Sequence, residues 1–497
     1  MNRKNVSSPF VSIILILAML SFPFIEQVVS QEVTTVNVFP SKVEVRVGDS
    51  FSVSINVSYV EDLYGFEFKL SYNTTVLDTS NVTVPPPWPN STTFIQIVDP
   101  QGYVSVNSSL TSPPGITGNS TLASINFRAK AVGDTVLNLD SINLINSTLD
   151  LISFIEHDGS ISVPPRRVPT DYPTIQEAIN AASLGDTIFV YNGTYFEHIV
   201  LNKTVTLLGE NKYLTIINGS ENGDVVQIAA TDIHIQGFTL QGGNTSGIYV
   251  GGPFNFTITG NCIRNNHLGI KLTDYNGNAS VRIFSNDVFN NTFGIFLNCS
   301  DNNEILRNYM LSNHLGITSS NNATNNLIAS NSISNNNEGI YLASAYNNTI
   351  TYNDVLNNTS CGIFLNSSKG NIIYHNNFIH NTNQTQLVNS FNNTWDNGWE
   401  GNHWSNYNGT DLDGDGIGDE YLPWEGVDYY PLVSPYIPGD ANNDGVVDST
   451  DLGILGGSWG SATGDPKYDP CADFNSDGVI DSTDLGILGL NWGRKWS

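Results

Sequence analysis

The sequence predicts a mainly β protein in three parts: an N-terminal antiparallel β-sandwich, a central parallel β-helix and a small C-terminal α domain. Three patterns support this division. Apolar and polar residues alternate with strand period through residues 31–163, a 22–25-residue repeat follows over residues 247–362, and one acidic motif occurs twice near the C-terminus. A chain of 497 residues accommodates about three domains of ~150 residues each.

The composition restricts the partners and the location of the chain. Its formal net charge is −28, from 47 acidic and 19 basic residues, so we expect it to repel nucleic acid and to attract divalent cations. Residues 1–30 place Arg3 and Lys4 before an apolar run, which predicts a signal peptide; a retained N-terminal anchor is the alternative. No later apolar run reaches the ~20 residues of a membrane span. We therefore expect a secreted protein, extracellular or at the cell surface, with no membrane span after signal cleavage.

Cysteines and sequons fit an exported chain. Asn-x-Ser/Thr sequons, for example at Asn73, permit N-glycosylation, although a plain excess of Asn, Ser and Thr also produces them. The four cysteines, Cys262, Cys299, Cys361 and Cys471, show no CxxC spacing and predict neither a disulfide framework nor a thiolate metal site.

Residues 31–163 carry short strands. "SKVEVRVGDSFSVSINVSYV" and "LYGFEFKLSY" alternate apolar and polar residues, turn sequences separate the runs, and no helical stretch intervenes, which predicts an antiparallel sandwich. Together with "LASINFRAKAVGDTVLNL" and "DGSISV", the region resembles a cohesin domain. The resemblance implies a module that captures dockerins. A generic immunoglobulin-like sandwich is the alternative.

Residues 164–435 begin with a stretch of linker composition, "VPPRRVP" at 163–169, and contain the repeat. Gly-Ile pairs recur every 22–25 residues, beside an Asn-x-apolar track and a third apolar track. Three short strands per repeat predict a parallel β-helix with buried Ile columns. We expect each Asn to bond its copy in the next coil, and each Gly to mark a tight backbone turn. The pairs begin at Gly247, Gly269, Gly294, Gly316, Gly339 and Gly362.

The residues ahead of the repeat predict a capping helix, with Ile175, Ala178, Ile179 and Ala182 on one face and Thr174 as N-cap. "YPTIQEAINAASLGDTIFVYNGTY" resembles the N-terminal cap of the pectin-lyase-like superfamily. The coils and "GNHWSNYNGTDLDGDGIGDEYLPWEGVDYYPL" resemble its NosD-type branch. The resemblance implies a right-handed β-helix but no single activity, because the superfamily includes lyases, hydrolases, esterases, epimerases and non-enzymes.

The repeat shows no catalytic set in register, so the catalytic residues are unknown. The acidic residues fall at different phases of the coil, mostly in turns, so they are more simply interpreted as solvated side chains than as a catalytic pair. NosD-type proteins have been linked to copper insertion, but the histidines of the coils show no third ligand in register, and we expect them at the surface. The residues concerned are Asp287, Glu304, Glu338 and Asp354, and His267, His314, His375 and His380.

One outward column of the β-helix indicates a ligand. In each Gly-Ile-x-Leu strand the Ile and Leu point inward, so x points outward, and x is aromatic in four of six coils. Such rings can stack on successive sugars of a polysaccharide or cell-surface glycan. A ladder covered by a loop or by a glycan of the protein itself is the alternative. The aromatic positions are Tyr249, Phe296, Tyr341 and Phe364.

The acidic motif "DANNDGVVDSTDLGILG" at 440–456 returns as "DFNSDGVIDSTDLGILG" at 473–489. Oxygen donors stand at loop positions one, three, five, seven, nine and twelve, with Gly at six for the sharp turn, which is calcium-loop spacing. An acidic disordered tail would not place Gly, Val and Asp identically twice. The predicted Ca²⁺ ligands are Asp440, Asn442, Asp444, Val446, Asp448 and Asp451, and then Asp473, Asn475, Asp477, Val479, Asp481 and Asp484.

Each loop closes with Asp and continues through "LGILG" into a short helix, with no helix before the loop. Duplicated in this way, residues 436–497 resemble a type I dockerin. The resemblance implies that the pairs beside the closing Asp contact a cohesin, and that identical pairs let the module bind with either face. These pairs are Ser449/Thr450 and Ser482/Thr483.

A third acidic string has the first half of the same spacing, with Gly416 at the turn. It lacks a closing ligand unless Glu420 or Asp428 substitutes, and an acidic turn is the alternative. Its predicted ligands are Asp411, Asp413, Asp415 and Asp419.

The sequence therefore predicts an extracellular, Ca²⁺-dependent scaffold that pairs cohesin and dockerin modules around a carbohydrate-binding β-helix, associated with polysaccharide catabolism. Its partners would be cohesin- or dockerin-bearing proteins, a second copy included. Two alternatives stay open. One is a polysaccharide lyase or glycoside hydrolase delivered by its dockerin, and the other is a surface-layer or adhesion protein.

Overall fold

The structure is a computed structural model that describes residues 33–88, 92–252, 255–273, 281–475 and 477–496. The predicted signal peptide lies outside the described residues. Within these ranges, no helix has the length and apolar character that crossing a membrane requires. Three hydrophobic cores are present, one in each of the three predicted parts.

The N-terminal sandwich contains ten strands around its own core. A short 3₁₀ turn, Asp99–Gln101, precedes the sixth strand. The strands are β1 Thr35–Phe39, β2 Lys42–Glu44, β3 Ser50–Ser71, β4 Leu77–Thr83, β5 Phe94–Val98, β6 Tyr103–Ser109, β7 Ile116–Ala129, β8 Gly133–Asn146, β9 Ile155–His157 and β10 Gly159–Val163.

Strand β3 organises the sandwich. Its first half pairs antiparallel with β1 and β7, and its second half pairs antiparallel with β6 and β8, so one long strand passes through both sheets. Alternate β3 residues such as Val53, Ile55 and Val57 are fully buried, as the strand period predicts. The edge pairs β1–β9 and β2–β10 are parallel.

The stretch predicted as a linker is ordered, and that prediction is wrong for most of its length. Strand β11, Arg166–Val168, already pairs with the first coil of the β-helix, so only Pro164 and Pro165 separate the two domains. The Arg166 guanidinium is buried against the carboxylate of Asp186. The Arg46 side chain of the sandwich donates to the carbonyls of Pro164 at 3.1 Å and Pro165 at 2.8 Å.

The central domain is a parallel β-helix of about ten coils, which confirms the predicted fold class. Each coil adds one strand to each of three sheets. Sheet I contains β11, β12 Asp186–Val190, β15 Val205–Gly209, β18 Ile233–Gln236, β21 Phe256–Thr259, β24 Val281–Phe284, β27 Glu304–Leu306, β30 Leu327–Ala329, β33 Thr349–Thr351 and β36 Ile372–Tyr374. Sheet II contains β13 Gly193–Tyr195, β16 Thr215–Asn218, β19 Thr239–Gln241, β22 Cys262–Arg264, β25 Asp287–Phe289, β28 Tyr309–Leu311, β31 Ser332–Ser334, β34 Asp354–Leu356, β37 Asn377–Ile379 and β39 His403–Trp404. Sheet III contains β14 Ile199–Leu201, β17 Val226–Ile228, β20 Ser246–Gly251, β23 Leu268–Thr273, β26 Phe293–Asn298, β29 Leu315–Ser320, β32 Glu338–Ala343, β35 Cys361–Asn366 and β38 Asn383–Val388.

The capping helix α1, Ile175–Ala181, covers the N-terminal end of the β-helix. Thr174 is its N-cap and accepts from the Glu177 backbone N–H at 3.1 Å. Ile175, Ala178 and Ile179 are fully buried, which confirms the predicted apolar face.

Asparagine ladders join the coils, as predicted. In the first ladder each buried Asn donates from Nδ2 to Oδ1 of the Asn one coil on, for example Asn331 to Asn353 at 2.9 Å. Asn331 Nδ2 also donates to the Ile305 carbonyl at 2.8 Å, so both protons of this buried side-chain amide are hydrogen-bonded. Two further ladders, which the sequence pattern did not reveal, run through Asn266, Asn291, Asn313, Asn336, Asn358 and Asn381, and through Asn303, Asn326, Asn348, Asn371 and Asn393.

The glycine column serves a different purpose from the one predicted. The regularly spaced glycines of the repeat do not adopt a left-handed backbone conformation. A Cβ on Gly269 would lie 2.4 Å from the Gly294 carbonyl oxygen, and a Cβ on Gly294 would lie 2.4 Å from that of Gly316. Glycine is needed because successive coils approach too closely for any side chain.

The C-terminal end of the β-helix is closed by a stack of aromatic rings. Trp404 lies between Phe378 and Trp424, with ring centroids 4.5 Å and 4.0 Å apart. Beyond it lies the small domain, with helices α2 Ser449–Ser458 and α3 Ser482–Asn491 and a 3₁₀ turn, Pro470–Ala472. Both α helices begin within their acidic loops, at loop position ten, so the closing Asp of each loop lies in the first turn of its helix.

Candidate calcium loops and partner-binding helices

The first acidic loop is closed on itself. The Asp440 carboxylate accepts from the Gly445 backbone N–H at 2.8 Å and from that of Asp444 at 3.2 Å. Asp451 Oδ1 accepts from the Ala441 N–H at 2.8 Å, and its Oδ2 accepts from the Asp448 N–H at 2.7 Å. The first and last predicted ligands therefore both fold back over the loop.

The second loop repeats this geometry. Asp473 accepts from the Gly478 N–H at 2.8 Å, and Asp484 accepts from the Asp481 N–H at 2.9 Å. Gly445 and Gly478 share a φ of 87°, in the left-handed region that glycine adopts at no steric cost. The sharp turn predicted at position six is therefore present in both loops.

The donor set fits Ca²⁺. The side chains at positions one, three, five, nine and twelve supply oxygens, and the Val446 and Val479 carbonyls are the main-chain donors that the ion would take. Asp440 and Asp451 are both almost fully buried. Burial, followed by the negative charges of Asp451 and Asp444, raises the pKa of Asp440 to about 7, although backbone hydrogen bonds from Gly445 and Asp444 lower it. A bound cation would relieve this crowding of like charges.

The predicted recognition pairs lie at the first turns of α2 and α3, and all four side chains, Ser449, Thr450, Ser482 and Thr483, are exposed. Each helix starts with a capping box, in which Asp448 or Asp481 is the N-cap and the closing Asp of the loop is N3. The acidic loop thus also positions the helix that carries each pair. Leu452 and Leu485, the next apolar residues on the helices, are about 40% exposed (41% and 40%).

The third acidic string also converges. Within the described ranges, Asp411, Asp413 and Asp419 form a group whose carboxylate oxygens lie within 4.8 Å of one another, and Gly416 has a φ of 84°. Neither suggested closing residue belongs to it. The Glu420 carboxylate accepts from the Thr410 hydroxyl at 2.6 Å, and Asp428 is fully buried at the end of the first asparagine ladder.

Asp428 ends that ladder by accepting from the Asn402 N–H at 2.9 Å, the Trp404 indole N–H at 2.8 Å and the Tyr430 N–H at 3.0 Å. Burial raises its pKa to about 6, although these hydrogen bonds lower it. Its role is therefore structural.

A buried polar cluster joins the β-helix to the first acidic loop. His375 Nε2 and Glu400 Oε2 are 2.7 Å apart, and the other Glu400 oxygen accepts from Asn443 Nδ2 at 2.6 Å. The Tyr436 ring stacks on the imidazole, with centroids 4.0 Å apart. The prediction that His375 lies at the surface is wrong, because the C-terminal domain covers it; Asn443 stands at loop position four, which no pattern marks as a contact.

No described set of three or more His, Cys, Asp or Glu ligands includes a histidine. His267 and His314 lie two coils apart, as expected, because their neighbours Leu268, Phe293 and Leu315 pair in successive strands.

The aromatic column of sheet III lies in register, from Tyr249 through Lys271, Phe296, Thr318, Tyr341 and Phe364. Two pairs of neighbouring residues in the column are in contact. The Tyr341 and Phe364 ring centroids are 5.1 Å apart, and the Lys271 ammonium lies 5.2 Å from the centroid of the Tyr249 ring. All four aromatic rings are half-buried, and Thr318 is buried between coils.

Asp287 and Asp354 share one outward column of sheet II, contrary to the expectation that the acids differ in phase. They lie three coils apart, which is about 14 Å at ~4.8 Å per coil. Glycosidase carboxylates are ~5–9.5 Å apart, so these two do not form such a pair. Asp287 is held by the Lys212 ammonium and the Tyr213 hydroxyl, both at 2.7 Å.

Family models match three stretches of the chain in order. The cohesin domain matches residues 36–163, the "periplasmic copper-binding protein (NosD)" family matches residues 179–409, and the dockerin type I domain matches residues 438–489. The chain is thus a cohesin–dockerin module protein with a NosD-type β-helix between the two modules, and the three predicted resemblances are confirmed.

Among curated proteins, a cell surface glycoprotein of Methanothermus fervidus is 34% identical over 125 residues. The match covers 24% of this chain, and it spans only about a fifth (21%) of the glycoprotein.

Among solved structures, the non-cellulosomal cohesin of Archaeoglobus fulgidus is 19% identical, covering 27% of this chain and 91% of that one, with a TM-score of 0.24. A type I cohesin–dockerin complex of Clostridium thermocellum is 14% identical, covering 27% of this chain and 94% of that one, with a TM-score of 0.25. A type I cohesin of Pseudobacteroides cellulosolvens is 22% identical, covering 26% of this chain and 91% of that one, with a TM-score of 0.23. At these identities and scores the likenesses carry no functional information.

Proposed function

We propose that this protein is an extracellular, Ca²⁺-dependent assembly protein. Its C-terminal module captures cohesins, its N-terminal module captures dockerins, and the β-helix holds the two apart. The protein would therefore link other module-bearing proteins, and copies of itself, in series.

The observation that supports this most is the duplicated loop-and-helix unit with both recognition pairs exposed. The C-terminal domain contacts the β-helix through Asn443 and Tyr436, whereas Ser449, Thr450, Ser482 and Thr483 are exposed to solvent. The surface that would bind a cohesin is thus free in the intact chain. The cell-surface location of the Methanothermus fervidus relative agrees with an extracellular role.

Ca²⁺ belongs to this proposal through the two loops, and the converging Asp411, Asp413 and Asp419 make a third candidate. Extracellular calcium modules typically bind with a Kd of ~10⁻⁴–10⁻³ M. Assembly should therefore respond to Ca²⁺ in the millimolar range.

The test is sedimentation of the full-length protein in about 2–5 mM Ca²⁺, roughly two- to fivefold above the upper end of that affinity range, and in excess EGTA. We expect concentration-dependent oligomers in Ca²⁺ and monomers in EGTA. Replacing either pair, Ser449/Thr450 or Ser482/Thr483, by Ala should leave oligomers, since the other face still binds, whereas replacing all four residues should give monomers. Wild-type protein that stays monomeric in Ca²⁺ would refute self-assembly, and titration with separate cohesin- and dockerin-bearing proteins would then test the two modules individually.

The sheet III column supports a second role, the binding of carbohydrate. Tyr341 and Phe364 form a half-buried pair of adjacent rings, and Tyr249 and Phe296 follow in the same column beyond Thr318 and Lys271, so a glycan chain lying along the β-helix axis could contact all four rings. Loss of oligosaccharide binding in Phe364→Ala would support this role.

A further inference from the structure

A groove lies between the end of the β-helix and the second acidic loop, with a volume of about 400 Å³. Tyr374 and Trp399 line its β-helix wall, and Tyr468 and Asp473 line the wall that the C-terminal domain contributes. The volume falls within the ~300–1,000 Å³ of small-ligand sites and is too small for a protein partner. We propose that this groove binds a neutral oligosaccharide.

Aromatic rings supply the stacking surfaces that a sugar needs. Trp399 is 59% exposed, which is a large apolar area to leave in solvent. The turn that carries it is held in place, because the Asn397 side-chain oxygen accepts from the backbone N–H groups of Trp399 at 3.0 Å and Glu400 at 2.8 Å. The Glu400 side chain is in turn buried against His375. The exposed indole is therefore presented by a rigid turn.

The polar groups of the groove decide the class of sugar. Asn397 and Thr463 offer an amide and a hydroxyl, and no Lys, Arg or His occurs among the described lining residues. Among the described lining residues the Asp473 carboxylate is the only charged group, and the whole chain carries a net charge of −28. Uronic acids and other anionic ligands would be repelled, whereas neutral hydroxyls can hydrogen-bond to these groups.

One wall is part of the second acidic loop. Asp473 is its first predicted Ca²⁺ ligand, and it accepts from the Tyr468 hydroxyl at 2.7 Å. Gly478, the turn residue of that loop, also lines the groove. An ion held by the loop would fix the position of Tyr468, so sugar binding should be stronger in Ca²⁺; this step rests on the proposed calcium site, whereas the groove itself does not.

The experiment is a glycan array of neutral and uronic-acid oligosaccharides probed with the full-length protein in Ca²⁺. We expect binding of neutral members, at least tenfold weaker for Trp399→Ala and intermediate for Trp399→Phe. Phe391→Ala removes a comparably exposed aromatic residue outside the groove and should bind as wild type. Phe364→Ala tests the sheet III column separately: a neutral oligosaccharide that belongs to the groove should lose binding in Trp399→Ala and keep it in Phe364→Ala.

The proposal is overturned if no neutral oligosaccharide binds, if acidic ones are preferred, or if Trp399→Ala binds as tightly as wild type. In EGTA we expect binding to the array to be at least threefold weaker. Unchanged binding in EGTA would overturn the role of the calcium loop. Oligomerisation of Trp399→Ala in Ca²⁺ should match wild type, so a failure of the groove and a failure of assembly give different results.

Discussion

At the scale of single residues, the closing aspartates combine two tasks. Asp451 is the predicted last ligand of the first acidic loop and, through Oδ2, accepts the N-cap backbone N–H of α2 at 2.7 Å. The carboxylate therefore stabilises the helix start before any ion binds, because it satisfies a backbone donor and favours the positive end of the helix dipole. Asp444 is exposed and lies outside the capping box, so it provides a matched comparison.

Asp451→Ala should loosen α2 even without Ca²⁺. Loss of a cap typically costs about 1–2 kcal/mol, so amide hydrogen exchange of residues 449–458 in EGTA should speed up by roughly ten-fold. Asp444→Ala should leave that exchange within about twofold of wild type. Both variants should lower Ca²⁺ affinity. Wild-type exchange in Asp451→Ala would show that the cap contributes nothing by itself.

At the scale of elements, the last coil of the β-helix holds two buried titratable groups with opposite responses to pH. Burial raises the pKa of Asp428 from 3.8 to about 6, so its neutral form is favoured, and the stability it contributes is lost as pH rises from about 4 to 6. Burial lowers the pKa of His403 from 6.5 to about 4, so its contribution is lost as pH falls from about 6.5 to 4. Each effect is about 3 kcal/mol at most, and in the wild type they largely cancel.

Single substitutions should expose the two effects. In His403→Asn the free energy of unfolding should fall as pH rises from 4 to 6, because Asp428 then acts alone. In Asp428→Asn it should rise over the same interval. Urea unfolding at half-unit pH steps, taken as the difference from wild type, measures both slopes. If the free energy of unfolding of both variants changed with pH as it does in the wild type, neither group would titrate between pH 4 and 6.

At the scale of the whole molecule, the β-helix and the C-terminal domain form a continuous structure. Glu400 contacts His375 on one side and Asn443, inside the first loop, on the other. Tyr436 makes two hydrogen bonds with the Asn377 side chain, at 2.7 and 3.1 Å. An ion that stabilises the loop should therefore also stabilise the end of the β-helix, since ligand binding is linked to every contact that the bound state requires.

Ca²⁺ should raise the unfolding temperature of the β-helix in the intact protein, measured by calorimetry. Glu400→Ala should abolish most of that rise, while the C-terminal domain still binds Ca²⁺ in titration. Glu304→Gln, which removes a carboxylate from an exposed pair with Arg282, is the control and should respond to Ca²⁺ as wild type does. An undiminished rise in Glu400→Ala would place the coupling elsewhere.

The local and periodic features were evident from the sequence alone. A repeat of 22–25 residues, a loop with donors at fixed positions and a cap such as Thr174 leave their pattern within one repeat or one turn, so reading the chain was enough to place the β-helix, both acidic loops and the exposed pairs. Only the tertiary structure decided the rest. His375, Glu400 and Asn443, and likewise Trp399 and Tyr468, lie 25 to 69 residues apart in the chain and follow no common period. Their contacts depend on how one domain packs against the next, and such packing leaves no regular pattern along the sequence. The same is true of the glycine column, whose spacing was visible but whose cause, the close approach of carbonyl oxygens between coils, exists only once the coils are stacked.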